Sequence, residues 1–238
     1  MENRQYTSAP SREGAIDRGL QAYMQKVYNM MAAGLVVTGA ISWFTYQTPA
    51  LFQAVHGSIL GIIIALSPLA VIFFGLTPSK VARMSAGAVS GLYFLLTGLI
   101  GLSMSYIFAV YSGESIARVF FITAGMFAAT SIYGYTTKKD LSSMGSMMVM
   151  GVIGIIIASL VNIFLQSAAL QFAISVIGVI AFTGLTAWDT QRIKEMYSYA
   201  RGGSSEMVKL ATMGALSLYL DFINLFQFLL QLMGSQRN

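Results

Sequence analysis

The chain contains no cysteine, which excludes disulfides, thiolate nucleophiles and thiolate metal sites. Charge is almost as scarce. Only 10% of residues are Asp, Glu, Lys or Arg, where a soluble domain carries about 25%. Histidine occurs once, at His56 in a short connection between apolar runs, and reads as a solvated loop residue rather than a catalytic or metal-binding one. A chain with so few charges and 56% hydrophobic residues cannot cover a water-facing surface, so it belongs in a bilayer. The net charge of +5 invites a nucleic-acid partner, but the placement of the charges argues for none.

What is present is a series of seven uncharged or nearly uncharged runs, at roughly 28–46, 59–76, 86–110, 119–135, 145–165, 170–188 and 211–233. Each has the roughly 17–25 residues that carry a helix across about 30 Å of hydrocarbon. Outer-membrane strands would be near ten residues long with alternating polarity, and that pattern is absent. The expected fold is an all-α integral membrane protein, a seven-transmembrane-helix bundle formed by residues 27–238. Residues 1–26 are expected to be a mobile cytoplasmic tail, with no cleavable signal peptide.

Every lysine and arginine except Arg118 and Arg237 falls in the N-terminal tail or in the second, fourth and sixth connections. Basic residues collect on the cytoplasmic side, so the N-terminus is expected there. The last run lacks proline, and lacks glycine after Gly214, which predicts one full span with Gly234–Asn238 on the far side. Gly57/Gly61, Gly87/Gly91, Gly98, Gly101, Gly151 and Gly154 are candidate close-approach sites between helices. Trp43, Tyr46 and Trp188 sit at run ends, where aromatic belts form, and the methionines read as core filler.

Asp221 is the anomaly. It lies inside Ala211–Met233, a run with no other charge. A carboxylate there is unfavourable by roughly 2.5–3.5 kcal/mol on insertion scales, so it needs a partner or a use. Ser217, Asp221, Asn224, Gln227 and Gln231 recur at i, i+4, i+7, i+10 and i+14, one face of a helix. Such a stripe points at other helices or at water, which puts this helix at the centre of the bundle. The stripe reads equally as pore lining or as interhelical hydrogen-bond glue, worth about 0.6 kcal/mol per contact.

Asp189 closes the sixth run, in TGLTAWDTQRIKEMY. The sixth and seventh helices are consecutive, so antiparallel packing could bring the two acids together if the seventh begins early, with Ser204 or Ser205 as its N-cap. Two carboxylates in hydrogen-bond reach cannot both ionise cheaply, so such a pair shares a proton and titrates as a unit. When both are ionised, their oxygens suit a hard cation such as Ca²⁺, making Asp189 and Asp221 the candidate metal ligands.

GALSLYLDFINLF (214–226), TGLTAWDTQRIK (183–194) and ITAGMFAATSIYGYTTKKDLS (122–142) resemble the Bax inhibitor-1 family of membrane proteins, its bacterial members above all. The likeness runs from QAYMQKVYNMMAAGL (21–35) to the last helix. It implies seven helices with the last one central, and a pH-sensitive calcium leak sensed by two aspartates at the positions of Asp189 and Asp221. The family's latching arginine on the second helix has no clear counterpart in TPSKVARMS, where Arg83 and Lys80 are the candidate substitutes.

Calcium is thus expected as a transported ion and not as a cofactor, with the bilayer and protons as the other partners. An intramembrane aspartyl protease needs a GxGD motif, whereas LYL precedes Asp221, so no enzyme activity is expected. A proton-coupled cation exchanger, or a regulatory protein bound to a membrane protease or another membrane protein, remain the alternatives.

Overall fold

The computed structural model describes residues 12–199 and 203–237. Residues 1–11 of the expected tail, and Arg4 and Arg201 of the charge pattern, lie outside the described residues. The elements are α1 (Arg12–Gln47), α2 (Pro49–His56), α3 (Ile59–Ala70) running into a π turn (Val71–Gly75), α4 (Pro78–Arg83) and α5 (Ala86–Met104). They continue with α6 (Tyr106–Val110), α7 (Gly113–Thr136), α8 (Ser142–Leu165), α9 (Ala168–Tyr199) and α10 (Ser204–Met233). Among the described residues six helices are long and apolar enough to cross a membrane, and seven spans result if Pro49–His56 with Ile59–Gly75, bent by 75°, form one. The all-α membrane bundle read from the sequence is therefore the observed fold.

Residues 12–26, assigned above to a tail, are helical in α1, and Tyr23 and Met24 are buried. The reason lies in the side chains: these two residues cover the bundle, and Tyr23 packs on Tyr197 of α9 at 5.5 Å between ring centroids.

The second span is the irregular one. Pro68 lies inside α3 and cannot donate to the carbonyl of Ile64. In lipid that carbonyl needs another donor. Ser67 Oγ supplies one at 2.8 Å and Ser103 Oγ of α5 another at 3.3 Å. Beyond the proline the helix widens, and Leu76 N–H reaches back to Val71 O at 3.0 Å.

α10 is central. In its most apolar window 67% of residues are buried, against at most 39% in any other candidate span. It packs on α9, α1, α7 and α5. Tyr219 of α10 meets Tyr93 of α5 edge to face, and its hydroxyl pairs with Thr38 of α1 at 2.6 Å. Thr38 also bonds the Thr97 carbonyl, and Tyr93 donates to the Met30 carbonyl, so one buried network ties three helices. α8, by contrast, turns Met150, Ile163 and Phe164 outward, as a lipid-facing helix does.

Close approach occurs at fewer glycines than the spacing suggested. Gly87, Gly91 and Gly154 face open space, and Gly57/Gly61 shape the α2–α3 corner instead of a helix pair. Gly101 does meet Thr38 of α1, as expected. Backbone meets backbone at Gly134, where an added Cβ would lie 2.1 Å from Ala187 O of α9. Trp188, expected at a run end, packs into the space left by Gly145.

The chain crosses fully in α10 and returns as a short tail against the α6–α7 junction. Ser235 N–H donates to Ser115 Oγ at 2.8 Å, Arg237 N–H to Val110 O at 2.9 Å, and the Arg237 guanidinium to Tyr46 Oη at 2.6 Å. The C-terminal segment thus sits at the end of the bundle where α1 ends, as a full span requires.

Candidate functional site

Asp221 projects from the buried side of α10, between Tyr219 and Phe222, and is 4% exposed. Asp189 is 8% exposed on α9. The sequence suggested that Asp189 closes its helix and that a serine caps the next. α9 instead continues to Tyr199, so Asp189 lies about 15 Å short of its end. α10 starts at Ser204 with Gly203 as N-cap and no side-chain cap. Both helices therefore extend past the apolar runs, because Gln191, Lys194 and Lys209 keep the period with their polar ends anchored to carbonyls of Lys139, Tyr135 and Val81. With both helices extended, the two acids line one cavity.

The two carboxylates share a cavity of about 420 Å³ between α3, α8, α9 and α10. Ser217 and Asn224 of the polar stripe line it with them, and Leu69, Ile72, Ile155 and Phe182 give it apolar walls. Asn224 spends its amide N–H on the Leu220 carbonyl at 2.8 Å, leaving its oxygen as an acceptor. Asp189 Oδ1 and Asp221 Oδ2 are buried without a hydrogen-bond partner.

Asp189 lines the cavity with Asp221, and Arg192 stands beside Asp189. Arg192 lies one helical turn beyond Asp189 and approaches its Oδ1 at 3.3 Å, an ion pair by distance without an aligned hydrogen bond. Its guanidinium stacks on Trp188 at 4.9 Å and reaches Ser217 Oγ at 3.5 Å. One cation thus touches both helices beside the two acids.

Arg192 was read from the sequence only as a basic loop residue. The i,i+3 spacing of Asp189 and Arg192 was the available signal, once α9 is known to continue. The structure does not bring Lys80 or Arg83 to the cavity lining. Lys80 is held by the Phe74 carbonyl at 2.6 Å, and Arg83 ends α4 exposed to solvent.

The polar stripe divides. Ser217, Asp221 and Asn224 face the cavity, whereas Gln227 is not part of its lining. Gln231 Oε1 accepts from Gln171 at 2.7 Å and Ser175 at 2.9 Å, so that end of the stripe joins α9 to α10 as hydrogen-bond glue. Among the described residues no three His, Cys, Asp or Glu side chains gather as a metal site.

The sequence model of the family described as "Inhibitor of apoptosis-promoting Bax1" matches residues 20–238. The chain belongs to the Bax inhibitor-1 family. Among its relatives is the "Uncharacterized protein RP147" of Rickettsia prowazekii, 45% identical over 231 residues, covering 96% of this chain and 95% of the relative. The "Inner membrane protein YbhL" of Escherichia coli K12 is 44% identical over 223 residues, covering 92% of this chain and 94% of its own length. A more distant Lactococcus lactis relative, YrjE, is 34% identical over 91% of this chain and 92% of its own length. The Bax inhibitor-1 match takes in α10 and α9 together, and with them the whole carboxylate cavity.

Proposed function

We propose that the chain is a pH-sensitive calcium leak, with Asp189 and Asp221 as a proton-sharing sensor that also meets the passing cation. The observation that carries this reading is the cavity itself. It holds two buried carboxylates, each with one oxygen outside any hydrogen bond, and Ser217 and Asn224 add neutral oxygen ligands. Hard cations prefer such oxygen sets, and Ca²⁺ normally takes six to eight ligands. A site with fewer protein oxygens holds the ion loosely, which suits passage better than storage.

Gating follows from charge. With both acids ionised the cavity carries two negative charges beside the single positive charge of Arg192, and each bound proton changes that balance. Burial keeps water from screening the change. No covalent step enters this reading, so the protein is proposed as a non-enzyme. The inner membrane is the proposed location, after the relative named YbhL, with the N-terminus in the cytoplasm by the basic-residue bias.

The test is Ca²⁺ flux into vesicles reconstituted with the full chain, across pH. Wild type is expected to change its flux with pH, and Asp189→Asn with Asp221→Asn to give a flat profile. An unchanged pH dependence in that variant refutes the sensor. A proton current moving against the calcium current would favour coupled exchange, and co-purification of a membrane partner without flux would favour a regulatory role.

A further inference from the structure

A second cavity lies between the first half of α1 and the end of α7, with a volume of about 450 Å³. It shares no lining residue with the carboxylate cavity. We propose that it is a binding site for one anionic phospholipid of the surrounding bilayer. This does not depend on the ion path proposed above.

Three observations point to that occupant. The groove is open sideways: Ala128 and Ile132 of its α7 wall are exposed, on a helix that crosses the membrane, so its mouth faces acyl chains. Its interior is graded. Phe127 forms the deep apolar part, while Gln21, Gln25 and Tyr135 stand at the end toward the helix termini. The Tyr28 and Ser131 hydroxyls pair with each other across the groove, and Ser131 is fixed from behind by Thr190 at 3.0 Å. A ligand with an apolar tail and a hydrogen-bonding head matches this gradient; a uniformly polar solute does not.

The third observation is charge. Lys194 stacks over the Tyr135 ring at 5.0 Å and gives one of its N–H groups to the Tyr135 carbonyl at 2.8 Å. An ammonium has three donors, so two are left at the polar rim. Lys26 follows Gln25 on α1, and Lys138 and Lys139 follow the end of α7. Basic rims between spanning helices recognise anionic headgroups, at about 1 kcal/mol per Lys or Arg. Phosphate plus glycerol provides the acceptors that Lys194 and Gln25 can satisfy.

The experiment uses the purified full chain in detergent, offered phosphatidylglycerol, phosphatidylcholine with the same acyl chains, or inorganic phosphate. Retained lipid is counted by native mass spectrometry, and the unfolding temperature is followed in parallel. One phosphatidylglycerol is expected to be held several-fold more tightly than phosphatidylcholine and to raise the unfolding temperature. Lys194→Gln keeps a donor for Tyr135 but removes the charge, and should weaken phosphatidylglycerol about fivefold, the change equivalent to ~1 kcal/mol for one basic residue. Ala128→Trp fills the groove and should abolish binding of both lipids. Equal retention of the two lipids, binding unaffected by Ala128→Trp, or a full thermal shift from inorganic phosphate alone would each overturn the proposal. If Ala128→Trp does not fold, the lipid preference of Lys194→Gln decides by itself.

Discussion

Two glycines of α7 allow the same substitution to be made in opposite surroundings. At Gly125 an added Cβ meets nothing within 4 Å. At Gly134 it lies 2.1 Å from Ala187 O, 2.9 Å from Ala187 C and 3.0 Å from Ala187 Cα, all of them backbone. Ordinary contact begins near 3.4 Å, so α7 and α9 must separate by about 1.3 Å to accept Gly134→Ala. Overpacking of this kind is unfavourable by roughly 1–3 kcal/mol, and a backbone neighbour puts it at the upper end. Glycine to alanine in a helix interior gains up to ~1 kcal/mol of propensity. Gly134→Ala should therefore lose about 2 kcal/mol net, while Gly125→Ala gains up to ~1 kcal/mol.

The difference, about 3 kcal/mol, is close to two decades in the unfolding equilibrium. Unfolding in mixed micelles, followed by loss of helicity, measures it. Equal effects at the two positions, or a Gly134→Ala protein as stable as wild type, would refute the claim that α7 and α9 touch through their backbones. Ala187 lies half a turn before Asp189, so the same substitution should also disturb calcium flux, whereas Gly125→Ala should leave it alone.

Three further outcomes are expected. Arg192 is 42% exposed on its side chain, so its pairing with Asp189 is partly screened and Arg192→Met should cost about 1 kcal/mol or less; adding Asp189→Asn should recover most of it in a double-mutant cycle. Tyr219→Phe should cost about 1 kcal/mol, because Thr38 still donates to Thr97, whereas Thr38→Val orphans a buried tyrosine hydroxyl and should cost more in the same unfolding assay. Ending the chain at Met233 removes the bonds of Ser235 and Arg237 to Ser115, Val110 and Tyr46, and should cost about 2 kcal/mol and speed amide exchange at Ser112.

The spans, the central last helix and the cavity-facing part of its stripe were legible because bilayer length and helical period constrain sequence strongly. What could not be read depends on neighbours far apart in the chain. The apolar runs mark the hydrocarbon and not the helix ends, so α9 and α10 were drawn short and Asp189 was placed at a terminus it does not occupy. Arg192 was assigned to a loop for the same reason. Glycine spacing marked Gly87 and Gly91, yet only packing tells which glycine faces a helix and which faces lipid; Gly134, one residue from Tyr133 with its 49% exposure, gave no warning. Gln231 obeyed the period of the stripe but met Gln171 and Ser175 instead of the cavity.

The central position of α10 also sets an order on biogenesis. Domains form from the N-terminus as they are made, at about 5–20 residues per second. Here the helix that fills the middle is synthesised after every helix that surrounds it. Until it emerges, the faces of α1, α5, α7 and α9 that pack on α10, including Tyr93 and Thr38 around Tyr219, lack that neighbour. The ribosome thus releases a ring before its axle, and the final tail, bonded to Tyr46 and Val110, locks the axle in place.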